Sequence, residues 1–199
     1  GTGAAKGEEA PFVSAGHGTA LLSVFVVMVH LVPHLVEGRG WSETSAQWMF
    51  GVVSVSSILG QVGGGFLGDR FSKTKISAAC MVGHFTALMM LAFGGGLLIV
   101  PAAMIHGLSW GTRGPLMMAI RADFYGMRNF GTIMGYSTMI IMIGPLIGPW
   151  LGGAMNDQFG TYKEAFAIIG IATGVSSAFF LLARKPPVPH RASARSAQE

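Results

Sequence analysis

The chain has 199 residues, of which 51% are apolar and only 11% charged, with a formal net charge of +4. Soluble domains carry roughly 25% charged residues, so this composition is too poor in charge to solvate a globular surface, whereas the length accommodates about six membrane spans. The single cysteine, Cys80, lies in an apolar run and excludes a disulfide framework or a cysteine-rich metal site, and the basic residues flank apolar spans, which points to membrane topology and not to nucleic acid.

Residues 1–11 form a polar N-terminal segment without the basic start, short apolar core and cleavage site of a signal peptide. The absence of an initiating Met fits a fragment or an excised domain. Uncharged runs then predict an all-α transmembrane domain over 12–183, with spans at about 12–36, 44–68, 76–96, 97–120, 131–155 and 165–183. In the first span His30 and His34 stand one turn apart beside Pro33. No carboxylate or cysteine within the spans completes a metal site around them, so no metal is expected. Their alternatives are substrate hydrogen bonding, handling of a coupling proton, or a satisfied helix-end histidine, which is also the default for His84 and His106.

The second span aligns Gln47, Gly51, Ser54 and Gln61 on one face and ends in GGFLGDRFSKTK, residues 64–75. Its glycines permit close helix packing and a sharp reversal. Asp69 is expected to accept hydrogen bonds from backbone N–H groups at a helix start, and Arg70, Lys73 and Lys75 to hold the loop at an anionic leaflet. The third and fourth spans are divided only by Gly94-Gly95-Gly96 and Pro101. In the fourth, His106, Ser109 and Arg113 recur at i, i+3 and i+7 on one face, opposite Leu108, Leu116 and Ile120. An arginine near mid-membrane costs at least ~2.5–3.5 kcal/mol on insertion scales, so Arg113 is expected on a concave polar surface or beside a partner. A structural pairing, or snorkelling towards the membrane surface, is the alternative. Arg113, His106, Ser109, His30 and Gln61 are the candidates for a substrate pathway.

The fifth span contains Gly135, Gly144, Gly148, Pro149, Gly152 and Gly153. Glycines at every fourth position form a smooth face for another helix, and Pro145 and Pro149 favour a bend. It ends in GGAMNDQFGTYK, residues 152–163, a weaker copy of the loop after span two at an offset of 88 positions. A Gly-Gly-x-x-x-Asp turn repeated three spans later marks a duplicated three-helix unit, so the six helices are expected to form an inverted 3+3 repeat. Residues 184–199, with Pro186, Pro187 and Pro189, read as a basic, disordered tail.

One end of these spans carries Lys6, Arg70, Lys73, Lys75, Arg121, Arg128, Arg184, Lys185, Arg191 and Arg195, and the other only Arg39 and Lys163. Ten basic residues against two put both termini in the cytoplasm by the positive-inside rule.

The 64–75 segment resembles the loop signature of the major facilitator superfamily, G-x-L-a-D-r-x-G-r-[kr], through Gly65, Leu67, Gly68, Asp69, Arg70 and Lys73, with Ser72 in place of the usual glycine. The fifth span is similar to a second superfamily pattern, G-x8-G-x3-G-P-x2-G-G. HLVPHLVEGRGWS (30–42) and RADFYGMRNFGTIMGY (121–136) resemble bacterial members related to monocarboxylate transporters, in their carboxyl-terminal half. One departure is Gln61, close to where that branch often has an arginine. The resemblance implies half of a secondary active transporter in the bacterial inner membrane, moving a small-molecule substrate, an organic anion in that branch, by alternating access. It makes Gly65, Asp69, Arg70 and Lys73 a conformational-switch loop whose Asp69 docks on a six-helix half that residues 1–199 do not contain. No cofactor is implied. A non-transporting scaffold, or a half-size protein acting only with a partner half, is the alternative. An intramembrane serine protease is excluded: Gly107-Leu108-Ser109 supplies a G-x-S, but residues 165–183 hold no histidine to activate it. No G-x-x-x-x-G-K-[ST] loop is present, so no nucleotide drives the reaction.

Overall fold

A computed structural model describes residues 10–125 and 130–182, and among them every regular element is helical. The helices are α1 (Ala10–Arg39), α2 (Glu43–Arg70), α3 (Lys73–Phe93), α4 (Ile99–Tyr125), α5 (Phe130–Ile141), α6 (Ile143–Phe159) and α7 (Lys163–Leu182). Most of the polar start, the tail after Leu182, and with them Lys6, Arg128, Arg184, Lys185, Arg191 and Arg195, lie outside the described residues.

Among the described residues, five stretches are long and apolar enough to cross a membrane: Val13–Arg39, Glu43–Arg70, Lys73–Phe93, Met134–Phe159 and Lys163–Leu182. The fourth span, α4, has 27 residues, enough for the ~30 Å hydrocarbon layer at about 1.5 Å per residue. Its composition is more polar because Arg113, Arg121 and Asp123 lie on it, and it spans by virtue of packing along α2 and α3.

Local chemistry ends each helix where the chain must turn. α1 stops at Gly40, whose φ of 67° is left-handed, while Trp41 N–H reaches back to the Leu35 carbonyl at 3.0 Å. Ser42 then caps α2, its hydroxyl accepting from Ser45 N–H at 3.2 Å. α6 closes the same way at Gly160, with φ of 70° and its N–H on the Asn156 carbonyl at 2.7 Å. The expected divide between spans three and four is a Gly94-Gly95 step and a single 3-10 turn, Gly96–Leu98. The fifth span breaks into α5 and α6 at Met142, because Pro145 has no N–H for the Ile141 carbonyl and its ring crowds that group.

The pairing of the helices reveals the repeat. α2 lies along α4 and α6 along α1; α3 meets α4 and α7 meets α1; α3 and α7 pack on each other. Exchanging the first three spans for the last three converts this set of contacts into itself. Each unit has an odd number of crossings, so the second enters the membrane in the opposite sense to the first: an inverted 3+3 repeat.

Glycine makes both close pairings possible. A Cβ on Gly60 or Gly64 would run into the backbone of Leu108 or Thr112, and one on Gly107 or Gly111 into the carbonyl of Val53 or Ser57. On the other side, Gly144 and Gly148 abut the carbonyls of Gly18 and Leu22, and Gly152 abuts the His30 ring. Gly60 and Gly64 stand 88 positions before Gly148 and Gly152, the offset that relates the two loop copies. Two members of the fifth-span pattern take no part in this packing. Gly135 has open space where its Cβ would be, and Gly153 meets only the His30 ring edge at 4.0 Å. Both lie off the stripe of every fourth residue that faces α1.

The interior is layered. A large apolar cluster holds Leu31, Leu35, Leu88, Leu91, Ile99 and Phe166, and a smaller one holds Val13, Ala20, Met81, Met117, Ile120 and Phe180. Along α3 and α4 the polar side chains fall between them: His84 on α3, and His106, Ser109 and Arg113 on α4.

Candidate functional site

The polar stripe of α4 faces into the bundle. Arg113 is 1% exposed, His106 is wholly buried and Ser109 is nearly so. The expectation of an open concave position for this stripe is corrected by that burial. Its supposed apolar back is corrected too, since Leu116 and Ile120 are buried and only Leu108 of the three is exposed. The exposed stripe of α4 is instead Met104, Leu108, Gly114, Pro115 and Met118. The physical reason is the α2–α4 glycine contact, which fixes the rotation of α4 and turns the polar side towards α1 and α3.

Within this layer His84 and His106 sit with ring centroids 4.6 Å apart and Nδ1 atoms 3.2 Å apart. One Nδ1 must carry the proton and the other accept it, so the neutral rings hold opposite tautomers. Arg113 places a terminal nitrogen 2.6 Å from His17 Nδ1 on α1. Guanidinium has no acceptor, so it donates, and His17 is neutral with its proton on Nε2. Three buried nitrogens, Arg113 Nε, His84 Nε2 and His106 Nε2, have no hydrogen-bond partner among the described residues. Each such group costs about 1–3 kcal/mol. An ion pair lies elsewhere, between Lys73 and Asp123 at 2.7 Å, and no carboxylate of the described residues pairs with Arg113.

The other predicted residues separate into distinct places. His30 donates from Nε2 to the Pro149 carbonyl at 2.8 Å and stacks on Tyr162 at 5.0 Å, tying α1 to α6. Gln61 is exposed on α2, where its backbone lies against Gly111 of α4. Gly65 is exposed with nothing near its Cβ position. Arg70 lies over the Phe66 ring at 4.1 Å, and Lys73 is engaged by Asp123. Asp69 is exposed, and among the described residues nothing hydrogen-bonds or ion-pairs with it. The expected cap of a following helix does not form, because Asp69 still belongs to the last turn of α2 and Ser72 is the N-cap position of α3.

Two working residues escaped the sequence reading. Arg39 donates to the carbonyls of Leu91 at 2.7 Å and Gly94 at 2.5 Å, closing the C-terminus of α3 from the end of α1. His17 is the other; only its contact across 96 residues distinguishes it from an incidental polar residue. Sequence did hold one unread signal: the Gly60/Gly64 and Gly107/Gly111 pairs, each four apart, mark the α2–α4 contact. Outside the spans, Tyr162 has its hydroxyl pushed up by burial and by the carboxylates of Glu37 and Asp157.

The family model described as Major Facilitator Superfamily matches residues 13–199. Similar proteins include monocarboxylate transporter 13 of Rattus norvegicus, 28% identical over 150 residues covering 73% of this chain and 35% of that protein. Another is monocarboxylate transporter 11 of Mus musculus, 28% identical over 163 residues, 76% of this chain and 36% of that one. The chain thus spans about a third of the length of these curated relatives. Among solved structures, the E. coli fucose:proton symporter superposes with a TM-score of 0.75 at 18% identity, over 88% of this chain and 43% of that one.

Proposed function

The chain belongs to the Major Facilitator Superfamily, and from that premise we propose that it is one six-helix half, the carboxyl-terminal one, of a secondary transporter for a small organic anion. The observation that carries the anion is Arg113: a buried guanidinium with no carboxylate among the described residues, in a chain similar to monocarboxylate transporters. A buried cation with no counter-ion among the described residues, in a neutral polar layer between two apolar clusters, is a standing electrostatic demand that a bound anion satisfies.

The second half enters for a physical reason. α2 and its repeat partner α5–α6 leave apolar stripes uncovered, among them Val55, Ile58, Leu59 and Val62 on one and Tyr136, Met139, Leu146 and Trp150 on the other. These related surfaces, with the open Asp69 carboxylate at the end of α2, suit a second six-helix half packed about the same axis. Alternating access is then rocking of one half on the other around the Arg113 layer, with Gly65, Asp69, Arg70 and Lys73 as the loop that changes partners. The excess of basic residues at the Arg70 end supports a bacterial inner-membrane protein with both ends in the cytoplasm.

The test is uptake of a labelled small monocarboxylate, L-lactate, by the full-length protein in proteoliposomes. Arg113→Ala should lower uptake far more than it lowers protein abundance, and Arg113→Lys should restore part of it, since a point charge lacks the planar fork. Near-normal uptake by Arg113→Ala at matched levels refutes the role.

A further inference from the structure

We propose that the outward groove between α3 and α7 is a site for an anionic phospholipid, phosphatidylglycerol, whose phosphate is held by Arg39 and Lys163. The inference rests on the membrane fold and not on the transport reading. The apolar stripes set against a second half lie on α2, α5 and α6, so this face is left to lipid.

The groove starts from glycine. A Cβ on Gly170 would stand 2.8 Å from Met89 Cε, and one on Gly174 3.0 Å from the Phe85 ring, so both let α7 close on α3. Beside this seam Val82, Phe85, Ile171, Gly174 and Val175 border a hollow of about 450 Å³. Phe85 also borders a second hollow, of about 350 Å³, with Met89, Phe93, Gly94 and Leu98. From Val82 to Phe93 α3 rises about 16 Å at ~1.5 Å per residue, which matches the ~15 Å depth of one hydrocarbon leaflet. The two hollows give an acyl chain a path from mid-membrane to the surface, past walls stiffened by β-branched Val82, Ile171 and Val175. Lipid tails are as apolar as these side chains, so filling the groove selects no particular lipid. Selection falls to the headgroup.

Charge stands where that headgroup lies. Arg39 donates to the Leu91 and Gly94 carbonyls, and Gly94 borders the second hollow. These bonds and the one to His34 leave guanidinium donors over. Half-buried Trp41 beside it marks interfacial depth. On α7, Lys163, Ala167, Gly170 and Gly174 follow at i, i+4, i+7 and i+11, so exposed Lys163 heads the stripe that meets α3. Both cations act on His34, which gathers them around one point. Glu164 heads the next stripe, above Ile168, Ile171 and Val175, and its Oε2 is buried with no hydrogen-bond partner among the described residues. Of the other carboxylates at this end, Glu43 accepts from Gln47 on α2. Glu37 lies about 200° round α1 from Arg39 and acts with Asp157 on Tyr162. Arg39 and Lys163 against Glu164 leave one positive charge in excess, which an anionic lipid balances and a zwitterionic one does not. The phosphate takes the spare Arg39 donors and the Lys163 ammonium, and a glycerol hydroxyl donates to Glu164.

The experiment uses the full chain in nanodiscs of equal parts phosphatidylcholine and phosphatidylethanolamine. Each sample is doped with a phosphatidylglycerol, phosphatidylcholine or phosphatidylethanolamine probe bearing a diazirine at the chain end, and crosslinks are mapped by peptide mass spectrometry. The phosphatidylglycerol probe should label α3 and α7 around Val82 and Val175 at least about fivefold more than the other two. Lys163→Gln, at an exposed side chain with no bond among the described residues, should lower that yield about fivefold and leave the phosphatidylcholine yield unchanged. Lys75→Gln, at the opposite end of α3, should change neither. Val175→Trp fills the hollow and should remove labelling at Val82 by every probe. Equal yields from the three probes, or a phosphatidylglycerol yield insensitive to Lys163→Gln, overturn the site. A phosphatidylethanolamine yield matching or exceeding that of phosphatidylglycerol overturns the headgroup assignment. A chain that sediments as a dimer and is unlabelled on this face by every probe puts a second copy there instead. The transport reading fails separately, on lactate uptake in proteoliposomes insensitive to Arg113→Ala.

Discussion

Replacing Gly64 by Ala tests the fold at the glycine contact between α2 and α4. The added Cβ would overlap the Thr112 carbonyl and stand 2.8 Å from the Thr112 Cα. Both obstacles are backbone, so no rotamer change relieves them, and α2 must move off α4 by about 1 Å to recover ordinary contact. A gap of that size forfeits a quarter to a half of the dispersion energy along the seam, and overpacking of this kind costs about 1–3 kcal/mol. Gly65 next to it has nothing within 4 Å of its Cβ position and lies in the same helix. Gly65→Ala should therefore be neutral or slightly stabilising, by up to about 1 kcal/mol of helix propensity. The assay is reversible unfolding in mixed micelles at increasing SDS fraction, followed by helical circular dichroism. Gly64→Ala should unfold at distinctly lower SDS than the unaltered chain, and Gly65→Ala should not. Equal midpoints for the two variants, or a Gly65→Ala loss as large as that of Gly64→Ala, would refute the contact geometry.

Arg39→Ala removes the donors that close the C-terminus of α3 on Leu91 and Gly94, and should cost about 1–3 kcal/mol in the same unfolding assay, with Arg39→Lys recovering part. Pro145→Ala returns the N–H that Ile141 lacks, so α5 and α6 should merge; the distance between spin labels at exposed Tyr136 and Trp150 should change on straightening, and an unchanged distance would show another cause for the break at Met142. Asp69→Asn should leave the unfolding midpoint of this chain within about 0.5 kcal/mol, because nothing among the described residues holds that carboxylate, while lowering lactate uptake by the full-length protein. A large stability loss would place its partner within this half.

The apolar spans, their charged ends, the duplicated Gly-Gly-x-x-x-Asp turns and a bend in the fifth span at Pro145 and Pro149 were legible in the chain, though not that the bend would divide the span at Met142. Each rests on a constraint that acts locally: hydrocarbon thickness sets span length, glycine permits the turn, and proline withdraws one hydrogen bond. The duplicated turn also carried the three-helix repeat, because its 88-residue offset relates residues that pack alike. Periodicity likewise put His106, Ser109 and Arg113 on one face of α4. What it left undecided was where that face points. In a soluble helix the polar side turns to water, and sequence alone orients it. In a membrane, lipid is as apolar as a protein core, so no such gradient acts, and the rotation of α4 is set by which side lets a neighbour approach. Gly107 and Gly111 take α2 against their own side, and only that tertiary contact carries Arg113 inward to meet His17.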